Sequence, residues 1–195
     1  LMAGRTFYDH NENSLSYYPY TPNMDIELNI GQEDLVYVYN DSGSIIYKGQ
    51  PCHINGHEIS ANTPTIILAN ASNLATYDIA GIASHDIQNQ NYGFITKLGI
   101  IEGLTITGAS PGDEIYLSDV NDGEFIHSTS DLQLMSRTTK IGVVITTGTT
   151  TSKILVDIEN EYPHLFGVKA ANIIETGLLS TGVAVFGGLS ANTID

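Results

Sequence analysis

The chain has 195 residues, 7 Lys and Arg against 22 Asp and Glu, and a net charge of −15. That balance argues against nucleic acid or an anionic membrane as partner, since both need clustered Lys and Arg to neutralise phosphate. A single cysteine, Cys52, rules out an intrachain disulfide and a cysteine-built zinc site, and no run of 18 apolar residues is present to cross a bilayer as a helix.

Charged residues make up only 15% of the chain. Thr, Ser, Asn and Gly take their place, which suits a β-rich surface better than a helical one. The first residues, LMAGRTFYDHN, lack the basic and apolar regions of a secretion signal, so synthesis in a cytoplasm is expected.

Residues 1–34 are tyrosine-rich and interrupted by Pro19 and Pro22. Thr6–Tyr8 and Ser14–Tyr18 are expected to pair across the turn-rich Asp9-His10-Asn11-Glu12-Asn13. Asp25–Ile30 alternates, which predicts a half-buried strand with Ile26, Leu28 and Ile30 on one face. Phe7, Tyr8, Tyr17, Tyr18 and Tyr20 are the candidate docking residues of this segment. A sugar-stacking surface is the alternative use for the same rings.

Beyond residue 34 the alternation strengthens. Strands are expected at Leu35–Asn40, Ser44–Lys48, Cys52–Ile54, Thr65–Leu68, Ile79–Ala83 and Gly93–Lys97. Asn40-Asp41-Ser42-Gly43 reads as a turn, and Asn55-Gly56 reads as a hairpin turn. Asn70–Tyr77 is the one helical turn expected, on the strength of its alanines. Ser84–Asn91 reads as a polar loop.

The stretch Ile101–Glu159 reads as four short strands: Leu104–Thr107, Glu114–Ser118, Lys140–Thr147 and Lys153–Ile158. Gly108-Ala-Ser-Pro-Gly, Asn121-Asp122-Gly123 and Gly148-Thr-Thr-Thr separate them. After Pro163 the chain changes character and is nearly free of charge. Its apolar residues Ile173, Ile174, Leu178, Leu179, Val183, Val185 and Phe186 have little of their own chain to pack on, so another copy or a partner is expected to bury them.

Chemistry-bearing clusters are sparse. His53 and His57 would face each other across a hairpin at Asn55-Gly56, with Glu58 beside them, as a weak metal pair. Asp119, Asn121, Asp122 and Glu124 resemble a calcium loop, but Gly123 arrives one residue early for the EF-hand order and a tight turn is the better reading. His85-Asp86 sits in a loop with no serine or cysteine in a nucleophile setting. Asp113 and Glu114, as strand neighbours, point to opposite faces, which disfavours acid–base pairing. No Gly-rich loop opens a helix to cradle phosphate.

Residues 27–159 resemble a domain near the N-terminus of bacteriophage tail-fibre and other virion appendage proteins. The resemblance lies in Leu28-Asn-Ile-Gly-Gln-Glu33, Val36-Tyr-Val-Tyr-Asn-Asp-Ser-Gly43, Gly49-Gln-Pro51, Ile67-Leu-Ala-Asn-Ala71, Gly81-Ile-Ala-Ser-His-Asp-Ile87 and Gly93-Phe-Ile-Thr96. It continues in Gly103-Leu-Thr105, Gly112-Asp-Glu-Ile-Tyr-Leu117, Gly142-Val-Val144 and Ile154-Leu-Val156. It implies a trimeric virion structural part with no catalytic residues, cofactor or metal.

The expected fold is therefore all-β. A compact barrel- or sandwich-like domain of short antiparallel strands spans 35–159, between a docking segment at 1–34 and an oligomerisation segment at 160–195 that leads into a fibre shaft. The expected partners are two further copies of the chain and other virion proteins such as a tail adaptor, tail tube or capsid. A head fibre or decoration protein, and a carbohydrate-binding adhesin, are the alternatives.

Overall fold

The computed structural model describes residues 4–11, 13–19, 26–60, 62–127 and 138–160. The chain divides into a unit of Leu1–Tyr162, which holds every described residue, and Pro163–Asp195, which lies outside them. The described part is all-β. Its strands are β1 (Thr6–Asp9), β2 (Ser14–Tyr17), β3 (Leu28–Asn29), β4 (Asp34–Asn40), β5 (Pro51–Glu58) and β6 (Thr63–Leu68). They continue with β7 (Gly81–Ala83), β8 (Tyr92–Ile106), β9 (Glu114–Leu117), β10 (Phe125–Ile126), β11 (Thr139–Thr146) and β12 (Gly148–Asn160).

β1, β2 and β3 form a small sheet, with β1 and β2 paired antiparallel as the alternation predicts. Its interior is polar. The hydroxyls of Ser14 and Ser16, both buried, donate to Asn29 Oδ1 at 2.7 Å each. The expected apolar face of residues 26–30 does not form. Ile26 is buried, Ile30 is exposed, and Asn29 takes the interior place because two serines need an acceptor there.

The other nine strands form one large sheet in the order β10-β9-β11-β12-β8-β4-β6-β5-β7, not a closed barrel. β10 lies at one end, whereas β7 at the other end turns back to pair with β8 in the middle. Nor are all the strands short and antiparallel. β8 runs 15 residues and β12 runs 13, and β4 pairs parallel with β6. The separate strands expected at Gly93–Lys97 and Leu104–Thr107 are the two ends of β8. Gly99 (φ +126°) and Gly103 (φ +72°) let that strand bend without ending, because they adopt backbone angles that a Cβ would penalise.

β8 serves two hydrophobic clusters. Its first half sends Ile95 into a cluster with Val38, Ile46, Cys52, Ile66 and Ile87. Its second half sends Ile101, Leu104 and Ile106 into a cluster with Ile115, Leu117, Ile141, Val144, Ile154 and Val156. Burying alternate residues of one strand in both clusters ties the two halves of the sheet together.

Three local expectations are corrected. Asn55-Gly56 is no turn: it lies inside β5, at a register shift between Ile54 and Gly56, and the chain reverses later, before Asn62 (φ +50°). Pairing of β5 with β6 on both sides of Asn55 outweighs the local preference of Asn-Gly for a hairpin. Asn70–Tyr77 forms no helix but two successive turns, in which Asn73 N–H donates to the Asn70 carbonyl and Thr76 N–H to the Asn73 carbonyl. The side chains of Asn70 and Asn73 accept from the backbone N–H groups of Ser72 and Ala75, which competes with helical bonding. Ser44–Lys48 contributes only the isolated bridge of Ile46 to Ile87.

The reversal expected at Gly148-Thr-Thr-Thr does occur, since Thr146 lies opposite Lys153. β12 nevertheless begins at Gly148, because that residue pairs with Ile106 of β8.

Candidate functional site

The polar clusters singled out from sequence are spent on structure. His53 and His57 do not face each other. They lie on one strand, opposite Ile67 and Pro64, and His53 Nδ1 donates to the Asp78 carbonyl at 2.9 Å. Glu58 accepts from the N–H and hydroxyl of Ser60 and from the Tyr92 hydroxyl. Phe94 N–H donates to His85 Nε2, and Lys48 N–H donates to Asp86.

In the acidic loop, Asp122 accepts from the Asn70 amide at 2.8 Å and Glu124 from the Asn121 amide at 2.8 Å. Asp119 is buried, more deeply than a turn residue should be. Asp113 closes its own turn by accepting from Ser110 N–H. Glu114 lies on the sheet, where the Tyr116 hydroxyl and the Lys140 ammonium hold its carboxyl below the usual range. Among the described residues, no three His, Cys, Asp or Glu side chains converge to hold a metal ion.

The N-terminal aromatics divide. Phe7 and Tyr18 stack on each other with centroids 4.9 Å apart. The Tyr18 hydroxyl donates to Glu27 Oε2 at 2.8 Å, and that bond raises its pKa. Tyr8 is 51% exposed and donates to Asn13. Tyr17 is half-buried. Tyr20 lies outside the described residues, as do Ile173, Ile174, Leu178, Leu179, Val183, Val185 and Phe186.

A second aromatic group, not singled out from sequence, lies across β4 and β8. Tyr37 is stacked on Tyr92 (5.4 Å, 7°) and tilted against Phe94 (5.0 Å), and Tyr39 meets Tyr92 edge-on. Register puts Tyr37 opposite Phe94 and Tyr39 opposite Tyr92. These are cross-strand pairs that stabilise the sheet by roughly 0.2–1 kcal/mol each.

A groove of about 380 Å3 lies between the β3–β4 segment and the strands β8 and β12. Ile26, Leu35, Ile100 and Leu155 supply its apolar surface, and Glu27, Glu33, Glu102 and Lys48 its charge. Ile100 and Leu155 lie opposite each other in the β8–β12 ladder and are 42% and 41% exposed. The signal for this site in the sequence is the unbroken run Ile154-Leu155-Val156. Apolar residues at consecutive strand positions leave one of them on the outer face.

No model of a known protein family matches the chain, and no curated protein matches it either.

Proposed function

We propose that this chain is a structural virion protein, the proximal part of a phage tail fibre, which attaches the fibre to the virion and supports host adsorption. The observation that carries this reading is the anchorage of β12, the strand from which the chain continues beyond Asn160. β12 pairs with β8 on one side and with β11 on the other. At its end the Asn160 side chain bonds both backbone groups of Ile79. A pull along β12 therefore loads two hydrogen-bonded ladders together, which suits a part that holds a downstream segment in place.

On this reading the apolar residues Ile173–Phe186 associate three copies, and host specificity lies further along the fibre. Imaging of particles labelled on this chain tests the location. Label at the tail is expected, label on the head would favour a head fibre or decoration protein, and unlabelled particles would overturn the proposal. Removing residues 163–195 and measuring mass by light scattering tests assembly. Loss of the trimer is expected, and an unchanged trimer would overturn the role given to that segment.

A further inference from the structure

Glu27 Oε1 is enclosed and has no hydrogen-bond partner, while Oε2 of the same carboxylate accepts from the Tyr18 hydroxyl. An enclosed carboxylate oxygen left unpaired is costly, and natural structures rarely tolerate one without a use. Glu27 lines the groove on β8 and β12. We infer that this groove is a docking site for a polypeptide segment that presents a Lys or Arg beside apolar side chains.

Charge selects the cation. Glu27, Glu33 and Glu102 line the groove with Lys48, and because Glu102 is already ion-paired with Lys153, the excess negative charge rests on Glu27 and Glu33, on a chain of net charge −15. An anionic segment would be repelled, and a second copy of this face would bring like carboxylates together.

The apolar component selects a polypeptide over a free amine. Ile100 and Leu155 are each about two-fifths exposed inside the groove, and Leu98, 49% exposed, continues the same face of β8 past it. An apolar strip of this length, bordered by carboxylates, fits alternating apolar and cationic side chains better than one small molecule. The inference is independent of a virion location, so failure of either test leaves the other standing.

The test uses the full chain and two probe peptides, acetyl-Ala-Leu-Lys-Leu-Ala-amide and the same peptide with Glu in place of Lys, followed by amide chemical-shift titration. Saturable shifts confined to residues of β3, β8 and β12 are expected with the Lys peptide, weakening as salt is raised. The Glu peptide should leave them unmoved. Glu27→Gln and Leu155→Thr should each weaken the Lys peptide about tenfold while keeping the wild-type spectrum elsewhere. Leu155 is an exposed strand position, so that variant keeps its fold even where Glu27→Gln does not. No shifts at millimolar Lys peptide, equal binding of the Glu peptide, or affinity unchanged in both variants would overturn the inference. So would concentration-dependent shifts of the same residues without peptide, which would assign the face to self-association.

Discussion

Asn160 closes on Ile79 with both ends of its amide. Nδ2 donates to the Ile79 carbonyl and Oδ1 accepts from the Ile79 N–H, each at 2.9 Å, across 81 residues of sequence. The pair fixes the end of β12 to the segment before β7. Asn160→Ala leaves both backbone groups of Ile79 without these partners, and a loss of about 1–3 kcal/mol is expected. Thermal unfolding should move down by roughly 2–4 °C per kcal/mol. Hydrogen exchange at the Ile79 amide should quicken more than exchange at Ile95, in the other cluster.

Gly142 sits where the register of β11 shifts against β12. A Cβ added there would lie 1.9 Å from the Leu155 carbonyl oxygen, so the two backbones must separate. Gly142→Ala should cost about 3 kcal/mol or more, by the overpacking route. Gly56→Ala, at another register shift, would meet only the Thr65 hydroxyl at 3.2 Å, which can rotate away. Its midpoint in denaturant should stay near that of the wild type. Equal midpoints for the two variants would refute the argument.

Cys52 is fully buried, and burial pushes its thiol up to about 12 from an ordinary value of 9.0. At pH 8 this lowers the thiolate fraction about a thousandfold, so alkylation should track unfolding and not the native state. The sign for stability follows from a folded value above the unfolded one. The contribution is whole below about pH 9 and is lost as pH rises toward 12. Cys52→Ala should flatten the alkaline limb of the stability curve, although the smaller side chain lowers stability at neutral pH.

Asn40 is fully buried at the end of β4. Its amide donates to the carbonyls of Ser44 and Ile87 at 2.8 Å each, and its Oδ1 accepts from Ser42 N–H at 2.9 Å. Asn40→Ala takes its acceptor from Ser42 N–H and one of two donors from each carbonyl, since Ile87 O also accepts from Ile46 N–H and Ser44 O from the Ser42 hydroxyl, and a loss of about 1–3 kcal/mol is expected. Asn40→Asp keeps the acceptor and removes the donor. It should be at least as damaging at pH 7, because it also buries a charge. Denaturant melts of the two variants decide it, and an Asp variant as stable as wild type would contradict the bonding described.

The N-terminal hairpin was legible because its strands are adjacent in sequence and its turn chemistry is local, as Thr6 opposite Tyr17 shows. The turn at Asn40–Gly43 was legible for the same reason. Asn55-Gly56 misled because the β5–β6 ladder runs through it, with Gly56 opposite Thr65, and pairing on either side of it outweighs the local turn preference. The glycines of β8 misled in the opposite sense. Separate strands were expected at Gly93–Lys97 and Leu104–Thr107, on either side of Gly99 and Gly103, yet pairing with β4, β7 and β12 makes them one strand.

The docking groove was illegible as a site. Glu27, Lys48, Ile100 and Leu155 come from four distant stretches, and only the run around Leu155 marks one of them in the sequence.

Composition, alternation and turn residues by themselves determined that this chain is β-rich and acidic, because those properties sum over local residues. Tertiary structure alone decided that β8 spans two clusters, that Asn160 locks onto Ile79, and that Glu27, with Oε1 lacking a hydrogen bond, lines one groove with exposed Ile100 and Leu155. Each of these depends on which distant strands become neighbours, and strand pairing is a property of the whole sheet that no short window of sequence contains.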